Sequence, residues 1–297
     1  MLNNSIGVFF YLLLQNRWSW ALLKEEEREI IFEANECHNN DRQDYSWESY
    51  QGSKNWDSED DRAGSYRIGW GPWIMKFLEE KKPRSILEIG PGSGYFSKII
   101  CEHKSVSSYY GLEINKNFSD YLNRKLKNLQ KNNFKYKIIQ GDWKSTDLPK
   151  VDAIVILSAL HHIPDRQDLF KKLYGSLNST GKLLAIEPTH HLPRILQLSK
   201  KYFLYYRKKD YWMHRRNPAT HHFLTLGEYK SLCRTSGLSM DTTVLTLSHN
   251  PSQRNRYSIL SKILSNREKS ATMEYQDSIL KYLCTEIRVI LSKPSRI

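Results

Sequence analysis

Ser85-Ile86-Leu87-Glu88-Ile89-Gly90-Pro91-Gly92-Ser93-Gly94-Tyr95-Phe96-Ser97-Lys98-Ile99-Ile100 joins an apolar strand to an amphipathic helix through three closely spaced glycines. Gly90, Gly92 and Gly94 permit a sharp turn and let the backbone approach a ligand without Cβ interference. Glu88, at the strand end, supplies an anionic acceptor suited to a cationic ligand. A dinucleotide site would read G-x-G-x-x-G and offer a pyrophosphate to the helix N-terminus, whereas this loop reads E-x-G-x-G-x-G. The pattern marks a nucleotide-type cofactor site and shifts its ligand away from a dinucleotide.

Three more segments follow the same logic. Tyr109-Tyr110-Gly111-Leu112-Glu113-Ile114 reads as a short strand whose Glu113 lies nineteen positions after Gly94. A carboxylate about twenty residues beyond a glycine loop can accept both hydroxyls of a ribose. Tyr136-Lys137-Ile138-Ile139-Gln140-Gly141-Asp142-Trp143 reads as a third strand closing on an acid and an aromatic residue. Val151-Asp152-Ala153-Ile154-Val155-Ile156-Leu157 is a continuous apolar strand that runs through Ser158-Ala159-Leu160-His161-His162-Ile163-Pro164-Asp165 into a turn and a helix start. Taken singly, each feature has an ordinary reading as a tight turn or a solvated strand end. Their order and spacing carry the argument.

Over about residues 70–247 plus a last strand, the set resembles the class I S-adenosylmethionine-dependent methyltransferases. The resemblance implies S-adenosyl-L-methionine as cofactor, with the glycine loop under its methionine part and Glu88 near its amino group. It implies that Asp142 accepts the adenine amine and that Trp143 covers the ring. Ser158, at the end of the fourth strand, joins the expected cofactor-binding set of Glu88, Gly90, Gly92, Gly94, Glu113, Asp142 and Trp143.

The chain of 297 residues can bury a substantial core and fits one enlarged α/β domain better than two equal ones. Alternating strand and helix patterns predict a Rossmann-like, doubly wound sheet with helices on both faces. Strands are expected at residues 85–89, 109–113, 136–140, 152–157 and 182–187, and a helix at 226–236 closed by Gly237. Residues 238–247 and 285–292 complete a seven-stranded sheet, and the resemblance implies that the last strand is antiparallel. The expected organisation is an N-terminal helical lid over residues 1–69, then a cofactor-binding methyltransferase domain over 70–297 with an insertion after the fifth strand at about 191–222.

Cys37, Cys101, Cys233 and Cys284 contain no C-x-x-C pair, which argues against a zinc ribbon and offers no disulfide framework, so the expected location is cytoplasmic. The apolar run of residues 6–14 is too short to span a bilayer and lacks the flanking charge of a signal peptide. It is expected to pack over the substrate cleft; a helix lying in a membrane interface, with Trp18 and Trp20 at headgroup level, stays open. Residues 37–62 are polar and acidic, which suits a loop or partly disordered strap, yet carry Tyr45, Trp47, Tyr50 and Trp56; the resemblance implies that residues 33–69 fold over the cofactor as a lid, with disorder as the alternative.

The formal charge of +13 is partly concentrated in the insertion. There Arg194, Lys200, Lys201, Arg207, Lys208, Lys209, Arg215 and Arg216 face a single acid, Asp210, and are interleaved with six aromatic residues. The resemblance implies a substrate lid, which is the first reading; the composition suits an anionic membrane or phosphate-bearing substrate second, and RNA third. The histidine pairs 161–162, 190–191 and 221–222 have no acidic partner at a metal-ligand spacing, so no metal site is expected.

His161 and His190 instead follow the fourth and fifth strands, at the carboxyl edge where open α/β sheets bind ligands. A neutral imidazole is an apt general base for a hydroxyl acceptor, which makes His161 the first catalytic candidate and His190 the second. Methylation of a nucleic-acid exocyclic amine would call for Asn or Asp before Pro-Pro-Tyr after the fourth strand, and cytosine C5 chemistry for a nearby cysteine after proline; neither is present there. The run Leu160-His161-His162-Ile163-Pro164-Asp165 resembles methyltransferases of small molecules, lipids, quinones and natural products, which implies a methyltransferase acting on oxygen, with nitrogen or carbon as lesser options, of a small-molecule or lipid-linked acceptor. Alternatives are an RNA ribose methyltransferase and a non-catalytic cofactor-binding partner subunit.

Overall fold

Apolar runs that alternate between helical and extended periodicity build a doubly wound sheet in the computed structural model. The structure describes residues 7, 10, 21–29, 70–129, 133–163, 165–189, 224–246 and 286–294. The strands are β1 (Ser85–Ile89), β2 (Ser108–Glu113), β3 (Lys135–Gln140), β4 (Val151–Leu157), β5 (Leu177–Pro188), β6 (Ser239–Thr246) and β7 (Glu286–Ser292). The helices used below are α1 (Trp70–Lys81), α2 (Tyr95–Glu102), α3 (Lys116–Lys127), α4 (Arg166–Ser176) and α5 (Leu226–Ser236).

The sheet runs β3-β2-β1-β4-β5-β7-β6. The first five strands pair in parallel, and β7 is antiparallel to both of its neighbours. The order reverses at β1, so β1 and β4 leave their carboxyl ends side by side. Such a switch point opens a crevice for a ligand.

Alternation of side chains along each strand divides the core in two. Leu87, Ile89, Ile154, Ile156, Leu183, Ala185 and Val289 face Leu169, Phe170 and Leu173 of α4 and Tyr229 of α5. Ile86, Tyr109, Ala153, Val155, Leu184 and Ile186 face Ile74, Phe77 and Leu78 of α1, Phe96 and Ile100 of α2, and Leu122 and Leu126 of α3. Each buried leucine or isoleucine contributes about 1.5–3 kcal/mol of transfer free energy, so the two faces together dominate stability.

The strand and helix expectations hold with shifts of a residue or so, except that β5 begins at Leu177. Leu177 is buried and pairs with Val151, which draws the chain into the sheet directly from the end of α4; the exposed Ser179 and Thr180 hide this in the sequence pattern. The helix at 226–236 is bounded as expected. Thr225 accepts the Glu228 N–H, the Glu228 side chain accepts the Thr225 N–H, and Gly237 ends the helix at φ 82°. Asp152 staples the amino edge. It accepts from Arg84 N, Ser85 N, Ser85 Oγ and Asn178 Nδ2.

Most of the expected lid at 1–69, all of the insertion at 191–222, and His190 lie outside the described residues. Among the described residues no helix is long and apolar enough to cross a membrane. No group of three or more His, Cys, Asp or Glu among them is arranged to hold a metal ion.

Candidate active site

At the carboxyl edge, the loop after β1 places Gly90, Gly92 and Gly94 at φ 66°, 58° and 74°. A Cβ on Gly94 would come 2.3 Å from Leu122 Cδ1, so that glycine serves close packing of α2 on α3. A Cβ on Gly92 would meet nothing within 4 Å. Gly92 thus borders open space on the ligand side of the sheet, where a cofactor would press against bare backbone.

Glu113, 5% exposed at the end of β2, reaches over this loop. Its Oε2 accepts the Gly92 N–H at 2.9 Å and its Oε1 accepts the Asn115 N–H at 3.0 Å. Asn115 in turn caps α3 by accepting the Phe118 N–H. The carboxylate is therefore held in place before any ligand binds. Glu88 is placed deeper. At 2% exposure, its Oε2 accepts both Ser97 Oγ and Tyr109 Oη at 2.7 Å, tying β1 to α2 and β2. Burial, and then the charge of Glu88, push the Tyr109 phenol well above its ordinary value.

Asp142 and Trp143 follow β3. Asp142 Oδ1 accepts the Lys144 N–H at 3.0 Å, and its carbonyl accepts Thr146 N–H and Oγ1–H, which closes a tight turn. Trp143 packs at the edge of the core, and Lys172 of α4 donates to the Trp143 and Lys144 carbonyls at 2.7 and 3.1 Å. Lys144 pairs with Asp165 at 2.5 Å, a second tie between this turn and α4.

Ser158 leaves β4 at φ 56°, a left-handed conformation uncommon for a non-glycine residue. Its N–H donates to Ile186 O at 2.8 Å, which holds the strand tip against β5. Ala159 then lies against the glycine loop, since a Cβ on Gly90 would come 2.8 Å from the Ala159 Cβ.

Sequence reasoning missed the residue at the centre of this corner. Glu187, fully buried at the end of β5, accepts the Ala159 and Leu160 N–H groups on Oε1 at 2.7 and 2.8 Å. Its Oε2 lies 2.8 Å from His161 Nδ1. Burial raises the Glu187 carboxyl to about 7, against the lowering effect of the backbone N–H donors and of Arg166. The signal was present: Leu183-Leu184-Ala185-Ile186-Glu187 ends an apolar strand on an acid, as β1 and β2 do.

The structure thus brings the glycine loop, Glu113, Ser158 and His161 to neighbouring strand ends, with Asp142 and Trp143 on the turn beyond β3. Glu88, Glu113 and Asp142 make this edge acidic in a chain of net charge +13. An acidic edge, open backbone at Gly92 and an immobilised carboxylate fit a cationic, ribose-bearing cofactor.

Residues 87–183 match the family described as a methyltransferase domain. A ubiquinone biosynthesis O-methyltransferase of Coxiella burnetii is 24% identical over 115 residues, which are 38% of this chain and 48% of that protein. The chain spans about half the length of the curated relatives it matches. Among solved structures, magnesium protoporphyrin IX methyltransferase from Synechocystis PCC 6803 with bound SAH superposes with a TM-score of 0.53 at 13% identity, covering 82% of this chain and 90% of that one. A mycolic acid cyclopropane synthase complexed with SAH and CTAB gives a TM-score of 0.52 at 17% identity, covering 74% and 84%. These likenesses extend the shared fold well beyond the matched segment. With the glycine loop, the acidic strand ends and the antiparallel seventh strand already in place, the match identifies residues 87–183 as a methyltransferase domain carried on a Rossmann-like methyltransferase fold.

Proposed function

We propose that the protein transfers a methyl group from S-adenosyl-L-methionine to an oxygen of a small-molecule or lipid-linked acceptor, with His161 as the general base. The carrying observation is the contact of His161 Nδ1 with the buried Glu187, on a turn packed against the glycine loop. A base oriented by a carboxylate next to the cofactor loop is what deprotonation of a hydroxyl requires. The relatives support the acceptor class, since one is named for ubiquinone biosynthesis and O-methylation and another for mycolic acid.

When bound, the cofactor supplies a methyl group activated by a sulfonium. Glu113 would hold the ribose hydroxyls, Asp142 and Trp143 the adenine, and the backbone at Gly92 the methionine part, with Glu88 and Ser158 shaping the loop and the strand tip. Methyl transfer to the acceptor oxygen would leave the donor as a neutral thioether, so the charge released has to be taken up by the protein's base. The acceptor proton passes to His161 Nε2, so one positive charge enters on the donor and one leaves on the imidazolium. Alignment of acceptor, methyl and sulfur is the protein's main contribution.

Calorimetric titration with S-adenosylmethionine and S-adenosylhomocysteine tests the donor site. Wild-type protein should bind both, and Glu113→Ala and Asp142→Ala should lose most of that affinity. Labelled donor offered with phenolic, quinol, lipid and RNA acceptors then tests the acceptor class. Label in the phenolic, quinol or lipid fraction, and its loss in His161→Asn, is the expected result; label in RNA overturns the acceptor assignment.

A further inference from the structure

We propose that Glu187 is a positioning residue that fixes His161 in the tautomer with the proton on Nδ1, leaving the lone pair on Nε2 as the site for the acceptor's proton. The inference rests on the reading of His161 as the base and adds what makes it one.

The two carboxyl oxygens of Glu187 have different partners. Oε1 takes two backbone N–H donors at 2.7 and 2.8 Å, so it is an acceptor with no room for a proton of its own. Any proton on the carboxyl therefore sits on Oε2, facing His161 Nδ1 at 2.8 Å. Only one proton fits between these two atoms. With Glu187 ionised, it belongs to Nδ1, and Nε2 of the neutral ring is basic. With Glu187 protonated, Oε2 donates to Nδ1, and the neutral ring must carry its proton on Nε2, where it cannot act as a base.

Among the described residues, the groups facing Glu187 come from three elements: His161 on the turn after β4, Arg166 at the start of α4 and Tyr229 on α5. Arg166 favours the ionised carboxyl, while burial favours the neutral one. Tyr229 is raised well above its ordinary value by burial and by the charge of Glu187, so it stays a neutral phenol. Its hydroxyl is buried without a hydrogen-bond partner among the described residues, and it adds no competing charge. The Glu187 carboxyl is thus raised to about 7, and the base-competent form of the pair is the one in which this carboxyl is ionised.

A purely structural role is separable from this one. In Glu187→Gln the amide oxygen can keep the Ala159 and Leu160 N–H donors, so the turn and its packing on the glycine loop remain. The amide NH₂ then faces Nδ1 and donates to it, which forces the proton onto Nε2. Histidine ¹⁵N spectra of the full chain at about pH 8, above the Glu187 titration, with His161→Asn to assign the signals, read the tautomer without any acceptor. The expected result is Nδ1–H in wild type and Nε2–H in Glu187→Gln. An Nε2–H tautomer in wild type overturns the proposal even where the variant does not fold, and so does a folded Glu187→Gln that keeps Nδ1–H.

Kinetics with an identified acceptor supply the second arm. Glu187→Gln should lower kcat by about 10²- to 10⁴-fold, the range of general acid–base catalysis, with KM for the cofactor unchanged. A kcat equal to wild type overturns the proposal. Full turnover by His161→Asn would instead remove the base reading, while the tautomer spectra would still report what Glu187 does to the ring.

Discussion

Gly92 and Gly94 sit two residues apart in one loop, yet their substitution should fail in different ways. Alanine at Gly94 would drive a Cβ to 2.3 Å from the Cδ1 of Leu122, a fully buried side chain, and would also carry the strain of φ +74°. Overpacking and left-handed strain together predict a loss of about 2–4 kcal/mol, read as a lowered melting temperature. Alanine at Gly92 meets open space and carries only the strain of φ +58°, about 1–2 kcal/mol. Its methyl projects where the cofactor should lie, so titration with S-adenosylhomocysteine should show a loss of affinity larger than the loss of stability. Equal melting temperatures for the two variants would contradict the packing role of Gly94, and undiminished affinity in Gly92→Ala would contradict the placement of the cofactor against Gly92. The glycines themselves were legible in the sequence, whereas their division into a packing role and a ligand role was not. That division depends on Leu122, twenty-eight residues beyond Gly94, folding back against it.

At the scale of elements, the turn after β3 is held by α4 rather than by its own strand. Lys172 donates to two carbonyls of this turn, and Lys144 reaches Asp165 at the start of α4. Lys172→Met keeps the apolar stem and removes those donors. Cofactor affinity should then fall about 3- to 10-fold, the weight of roughly one hydrogen bond, while circular dichroism stays that of the wild type. Unchanged affinity would mean that the turn holds its shape unaided. Element boundaries were readable where a local signal marks them. Thr225, Glu228 and Gly237 bracket α5, and the apolar run 151–157 is β4. The early start of β5 was not readable, because Leu177 is recruited by Val151 across the sheet and no local pattern records that pairing.

For the whole molecule, Glu187 links the site to stability. Its folded-state value of about 7 lies above the ordinary 4.5, so its contribution to stability is fully present below about 4.5 and is lost as pH rises through about 7. Glutamine at this position does not titrate. The melting temperature of Glu187→Gln relative to wild type should therefore rise between about pH 5 and pH 7.5 and then level off. A difference that is flat with pH would show that Glu187 is not held neutral by its surroundings. Across this molecule the sequence by itself determined the strand and helix alternation, the glycine loop and the carboxylates that end β1 and β2, because these are set by side-chain periodicity and by residues close together in the chain. It also singled out His161 as a candidate. Only the tertiary structure decided that His161 has a carboxylate behind it and that Ala159 touches the glycine loop. Glu187 and His161 are twenty-six residues apart, and the parallel pairing of β4 with β5 is what brings them within 2.8 Å. A contact made across a sheet by two distant strand ends leaves no periodic trace in the chain.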